Sequence, residues 1–218
     1  MIGAFVMCLF LAIAPSAHAL KMDITDGTNT INIEDNFLND SSSDAGRLVY
    51  TGDLGVFSFV LDLAETKPVL GSNLSPQMHL TSSYNSTGNG TITIRVTDTG
   101  YGPVSAGSFI TSLGSSSNGK AIYDLQTYLD NSNAEFGTAT MLANYGPASV
   151  IGGYQSTAIA PASPFSITTI AHITTFNASA SDKASGSLDM NAKVPEPGTL
   201  LLLGSGLLGL MFHRRSRK

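Results

Sequence analysis

The run Thr91-Ile92-Thr93-Ile94-Arg95-Val96-Thr97 places an apolar side chain at every second position. A pleated strand sends successive side chains to opposite faces, so this period buries one face and leaves the other in water. Similar strand-like runs recur at Leu20–Thr25, Thr30–Glu34, Arg47–Thr51, Val56–Leu63, Gln77–Tyr84, Thr138–Ala143, Val150–Ala158, Phe165–Phe176 and Leu188–Val194. Within Val56–Leu63 the spacing assigns Phe57, Phe59, Leu61 and Leu63 to one core face. Ser108–Leu113 fits a strand or a short helix. In Ala121–Leu129, Ile122, Leu125 and Leu129 also suit helical spacing, but Tyr and Thr and the neighbouring strands favour a sheet. Asp26-Gly27 is a turn signal, and the polar stretch 35–46 and the Gly-rich stretch 114–119 read as loops. No coiled-coil or solenoid period is present. About ten or more short strands separated by turn signals predict an all-β chain folded as an antiparallel β-sandwich.

The end of the chain breaks this texture. Pro195-Glu196-Pro197 is followed by an apolar run, Leu200 to Phe212, interrupted only by Gly and Ser. Arg214, Arg215, Arg217 and Lys218 come next. As a helix, residues 198–212 would span about 22 Å, against about 30 Å for a hydrocarbon core. That is a marginal span, suited to a temporary anchor. Lys and Arg resist translocation, so the basic cluster stays cytoplasmic and everything before Val194 lies outside. The prolines keep the residues before them extended, leaving a segment that a processing enzyme can grip.

Three unlike features in this order resemble the PEP-CTERM sorting signal of Gram-negative bacteria that make exopolysaccharide. The resemblance rests on Pro195, Glu196, Pro197, the apolar run and the group Arg214, Arg215, Arg217. It covers about a ninth of the chain. It implies transient anchoring in the inner membrane, then recognition by the membrane protease-transpeptidase exosortase and transfer to the cell surface or extracellular matrix. The middle of the chain loosely resembles the Gly/Ser/Thr-rich β-domains found ahead of such signals, which transfers no activity. Ser205 and Gly209 have the small-xxx-small spacing of close helix packing, for which exosortase is the natural partner.

The N-terminus agrees with export. Met1–Ala19 holds an apolar run and then Ala17-His18-Ala19, a small-x-small pattern that predicts cleavage after Ala19. No Lys or Arg precedes the run. The only cysteine, Cys8, leaves with it, so the exported part has no thiol chemistry and no disulfide. Three segments result: a signal peptide at 1–19, a β-sandwich at 20–193 and the sorting signal at 194–218. Residues 20–193 hold 15 acidic and 7 basic residues, a net of −8, which the basic tail masks in the whole-chain value of −5. An acidic surface argues against nucleic acid and anionic membranes as partners, permits bound cations and leaves neutral glycans open.

No motif in the middle region names a chemistry. Gly204-Ser205-Gly206-Leu207-Leu208-Gly209 fits G-x-G-x-x-G but lies in the apolar tail, without the strand and helix a dinucleotide site needs. His79 and His172 are too few for a three-histidine zinc site, and no G-x-S-x-G or H-E-x-x-H occurs. His79 is expected on a solvent face with Gln77 and Thr81. Glu34, Asp35, Glu65 and Glu135 are the carboxylates a glycosidase pair would draw on. Asp23, Asp26 and Asn29, or Asp35, Asn36, Asn39, Asp40 and Asp44, offer oxygen ligands for calcium, although Asx residues also simply build turns. Tyr84, Tyr101, Tyr145 and Tyr154 read as loop tyrosines, either stacking on sugar or packing turns. The expectation is an exported, non-catalytic surface or matrix protein without cofactor or metal. The alternative is an exopolysaccharide-binding module, calcium-assisted or not, and a secreted glycan-acting enzyme is third.

Overall fold

The computed structural model describes residues 20–104, 107–161 and 164–193. Twelve strands follow one another: β1 Lys21–Thr25, β2 Thr30–Glu34, β3 Arg47–Leu54, β4 Phe57–Glu65, β5 Gln77–Ser86 and β6 Gly90–Tyr101. The second half gives β7 Gly107–Ser117, β8 Ala121–Asp130, β9 Thr140–Ala148, β10 Gly152–Ile159, β11 Phe165–Thr175 and β12 Ala184–Lys193. They form two six-stranded sheets, ordered β2-β1-β6-β11-β8-β9 and β10-β7-β12-β5-β4-β3. Every pairing is antiparallel, and no helix occurs among the described residues. The sandwich expected from alternation is the fold observed. Both ambiguous segments, within β7 and β8, are strands.

The inner faces follow the period of two. Ile92, Ile94 and Val96 of β6 face inward beside Ala171 and Ile173 of β11 and Tyr123 and Leu125 of β8. Across the core stand Phe57 and Phe59 of β4, Met78, Leu80 and Tyr84 of β5, and Phe109 of β7. Each such side chain contributes roughly 1.5–3 kcal/mol by leaving water. Tyr84 and Tyr123 link the sheets, with hydroxyls 3.1 Å apart, and Tyr123 donates to the Ser116 carbonyl at 2.7 Å. Gly186 of β12 makes room for them: a Cβ there would strike the Tyr123 hydroxyl and the Ser116 carbonyl.

One expected face is corrected. In β4 the register slips by one residue between Phe59 and Leu61 against β5, and an extra residue also appears there against β3. This β-bulge at Val60 reverses the alternation. Phe57 and Phe59 remain inside, but Asp62 and Ala64 then point inward while Leu61 and Leu63 are only half-buried.

The antiparallel registers also sort the connections by end. Lys193 pairs with Gln77, Glu65 with Arg47, and Lys21 with Glu34. One end of the sandwich therefore carries Leu20, Lys193 and the connections 35–46, 66–76 and 131–139. The opposite end carries the turns 26–29, 55–56, 87–89 and 118–120.

Candidate functional site

The signal-peptide cleavage residues Ala17 and Ala19 lie outside the described residues, as do Pro195, Glu196, Pro197, Arg214, Arg215, Arg217 and the expected short membrane helix. No helix among the described residues is long and apolar enough to cross a membrane. The structure does fix where the sorting segment leaves the body. Lys193 closes β12 while still paired with Gln77 of β5 and Ile110 of β7, so the exit point is a central strand.

The Asp/Asn loop at 35–46 is committed to architecture. Asp40 accepts from the backbone N–H groups of Val49, Ser42 and Asn36 at 2.9–3.0 Å. Asp35 accepts the Gly46 N–H at 2.8 Å, and Asn39 donates to the Asn32 carbonyl at 2.9 Å. Asp44 pairs with Arg47 at 2.8 Å. Gly46, at φ 84°, lies against the Lys67 carbonyl, where a side chain would not fit. The other calcium candidates are engaged too. Asp26 accepts from the backbone of Thr28 and Asn29 at 2.8 and 2.7 Å, which lowers its pKa. Asp23, buried, takes a bidentate grip from Arg95. Among the described residues, no three His, Cys, Asp or Glu side chains are grouped to hold a metal.

Two of the four glycosidase-type carboxylates meet. Lys21 Nζ lies 3.2 Å from Glu34 and 3.0 Å from Glu135, and the two acids raise its pKa, Glu135 most. These side chains, with Asn32 and Phe136, line a cleft of about 160 Å³. Phe136 shows one ring face to the Arg95 guanidinium at 4.9 Å. The other two do not join them. Asp35 is buried beneath Gly46, and Glu65 lies on the second sheet.

Glu65 belongs to a cluster that sequence spacing did not reveal. On the outer face of the second sheet, His79 Nδ1 is 3.4 Å from Glu65 and Nε2 is 3.4 Å from Asp189. The Thr81 hydroxyl is 3.0 Å from Nε2, and Arg47 holds Glu65 at 2.8 Å. His79 thus shares the outer face expected of it, with Gln77 and Thr81. The order hydroxyl, imidazole, carboxylate has the form of a nucleophile relay. However, β5 lies between β12 and β4, and His79 and Thr81 stand at paired positions of both ladders, where backbone N–H groups serve the sheet. His172 Nδ1 lies 2.9 Å from the Thr93 hydroxyl, and Asp124 holds the cross-strand position.

The tyrosines are not loop residues. Tyr84, Tyr101 and Tyr145 lie in β5, β6 and β9 and are buried; only Tyr154 of β10 is open, at 77% exposure. Burial and the neighbouring Asp98 push the Tyr101 hydroxyl well above its ordinary pKa.

Asp62 is the least expected residue. Both its carboxylate oxygens and the Ser82 hydroxyl beside it are buried without a hydrogen-bond partner of ordinary geometry. Burial pushes the Asp62 carboxyl up to about 7, and Ser82 opposes this only in part.

Comparison with known proteins places the chain by its end. No curated protein matches it. Among solved structures it is similar to the K1 cleaved adhesin domain of Lys-gingipain from Porphyromonas gingivalis W83. The similarity covers 70% of this chain and 99% of that one, at 11% identity and a TM-score of 0.30. The ribosomal oxygenase YcfD from Escherichia coli matches over 90% of this chain and 45% of its own, at 12% identity and a TM-score of 0.23. A GH31 alpha-xylosidase from Xanthomonas citri matches over 81% and 16%, at 12% identity and a TM-score of 0.26. Similarity this distant carries no argument about activity. Residues 193–216, by contrast, match the PEP-CTERM protein-sorting motif, which supports export and sorting by exosortase.

Proposed function

We propose that this is a non-catalytic protein of the cell surface or exopolysaccharide matrix, delivered as a β-sandwich and parted from its C-terminal segment at Pro195-Glu196-Pro197. Export begins with cleavage after Ala19, and the Arg214, Arg215, Arg217 group holds the end of the chain in the cytoplasm until exosortase acts. The observation that carries this reading is the sorting motif at residues 193–216, which overlaps β12 at Lys193. The non-catalytic reading is supported by two of the glycosidase-type carboxylates: Asp35 is buried and accepts the Gly46 N–H, and Glu65 lies on the other sheet from Glu34. The test is the intact mass of the protein recovered outside the native host. A C-terminus near Pro195–Pro197, with or without an added group, is expected. A chain still ending at Lys218 in that fraction overturns the reading.

A second reading, exopolysaccharide binding, is favoured by the cleft between Lys21, Glu34, Glu135 and Phe136, where charged groups flank an aromatic ring. Migration of the exported protein through a gel containing the host's polysaccharide tests it. Retardation unaffected by chelator is expected, because the Asp/Asn loop is already bonded internally. Unretarded migration rejects the reading. Turnover of the polysaccharide, lost on changing Glu34 or Glu135, would instead favour an enzyme.

A further inference from the structure

Four of the large apolar side chains exposed on this protein belong to two connections at one end of the sandwich. Phe37 (57% exposed) and Leu38 (79%) stand in 35–46, and Val69 (42%) and Leu74 (66%) in 66–76. Strand register puts both connections at the end where the sorting segment leaves. Residues 66–76 run directly into Gln77, the partner of Lys193, and residues 35–46 run into Arg47, which pairs with Glu65 of β4. Neighbouring strands lie about 4.8 Å apart, so β3, three strands from β12, starts roughly 14 Å from Lys193.

Six residues, 194–199, separate Lys193 from the apolar run that begins at Leu200. Fully extended, they reach about 20 Å. That length is an upper bound on the distance between Lys193 and the start of the apolar run. A body held this close to the bilayer keeps its near end at high effective concentration against the surface, where weak apolar partition suffices to dock it.

We propose that, while the C-terminal segment is inserted, the Lys193 end of the sandwich rests on the bilayer surface, with Phe37, Leu38, Val69 and Leu74 entering its interface. This rests on the reading of residues 200–212 as membrane-inserted. The acids of that end outnumber its bases, so contact rests on the apolar side chains and not on charge. Asp44 is paired with Arg47, the buried Asp35 and the partly buried Asp40 accept backbone N–H groups, and Asp98 is paired with Lys67 at 2.8 Å. Lys67 also donates to the Thr99 carbonyl at 2.6 Å, which fastens the connection carrying Val69 and Leu74 to β6. The four side chains are therefore presented on braced loops. Docking of this kind would hold the Pro195-Glu196-Pro197 segment at the depth of the headgroups, between body and bilayer, until processing releases both.

The chain contains no tryptophan, so a single introduced tryptophan reports one position. The full exported chain, purified from a host lacking exosortase, is bound to phosphatidylethanolamine/phosphatidylglycerol vesicles with ordinary or brominated acyl chains. Leu38→Trp and Leu74→Trp probe the docked end, and Val150→Trp, 66% exposed in the wild type, probes the opposite end. The expected result is blue-shifted emission and bromolipid quenching at positions 38 and 74, with neither at 150. Flotation with the vesicles is followed in parallel. A protein that floats but shows equal quenching at all three positions overturns docking while preserving tail insertion. A protein that does not float overturns both. Crosslinking from position 38 to a membrane protein in native membranes, without quenching in lipid vesicles, assigns the surface to a protein and overturns the lipid proposal.

Discussion

β4 and β6 are both long strands with one buried face, and each contains a bulge, yet only one bulge is marked in the sequence. In β6 the alternation of Ile92, Ile94 and Val96 continues to Asp98, and the register then shifts before Tyr101. The shift passes through Gly100 at φ 74°, a conformation glycine adopts without steric cost. In β4 the shift falls within Ser58-Phe59-Val60-Leu61, where no glycine marks it. The two bulges also differ in effect. The β6 bulge turns the aromatic Tyr101 into the core, where it stacks on Phe165 at 5.5 Å. The β4 bulge turns in a carboxylate. Both strands therefore bury a carboxylate, but Asp98 of β6 is paired with Lys67 at 2.8 Å, whereas Asp62 of β4 stands between Tyr50 and Ser82 without an ion partner among the described residues.

This contrast is sharpest in its dependence on pH. The Asp62 carboxyl is pushed up to about 7, so the folded state holds a proton that the unfolded chain has released. Stability is then greatest below the ordinary carboxylate range and falls as pH rises through about 7, by a total on the order of 4 kcal/mol. Chemical denaturation of the exported protein at pH 5 and pH 8 should show the part of this fall that lies above pH 5, about 2–3 kcal/mol, and Asp62→Asn should remove most of it. An Asp62→Asn variant with the wild-type slope would show that the carboxylate is solvated and that β4 resembles β6 after all. Ile94→Ala in β6 tests the other side. It should cost about 2–5 kcal/mol from lost burial and a residual cavity, by the same amount at both pH values. A pH-dependent loss there would mean that the two inner faces are coupled. The smallest effect belongs to Val60, 59% exposed at the bulge. Val60→Thr should change stability by no more than about 0.5 kcal/mol. A large loss would show that the bulge depends on the apolar side chain and not on backbone register.

The fold was legible wherever burial alone sets the pattern. Twelve strands arise near the stretches where alternation or strand-forming residues predicted them, and the tail announced itself through three features in fixed order. Legibility failed where a side chain's surroundings come from another strand. His79 meets Glu65 across 14 positions and Asp189 across 110, and no local spacing encodes either distance. Lys21 and Glu135 meet across 114 positions for the same reason. Tyr84, Tyr101 and Tyr145 looked like loop residues because Gly, Asn and Ser lie near them, but in this sheet those small residues sit within strands. β12 begins at Ala184, within an Ala-Ser-Gly-Ser stretch lacking apolar alternation, because β5 and β7 flank it on both sides.

The lateral margins of the sandwich have a consequence for life on a crowded surface. On one side, the Gln155 side chain accepts the Asn144 N–H at 3.1 Å and donates to the Asn144 carbonyl, and Thr157 donates to the Leu142 carbonyl at 2.6 Å. On the other, Asn39 covers the Asn32 carbonyl and Asp40 the Val49 N–H. Unpaired strand margins are templates for the next chain, and these positions are already occupied from within. The occupied groups interrupt each rim, so a second copy laid alongside meets a broken row of partners instead of a continuous one.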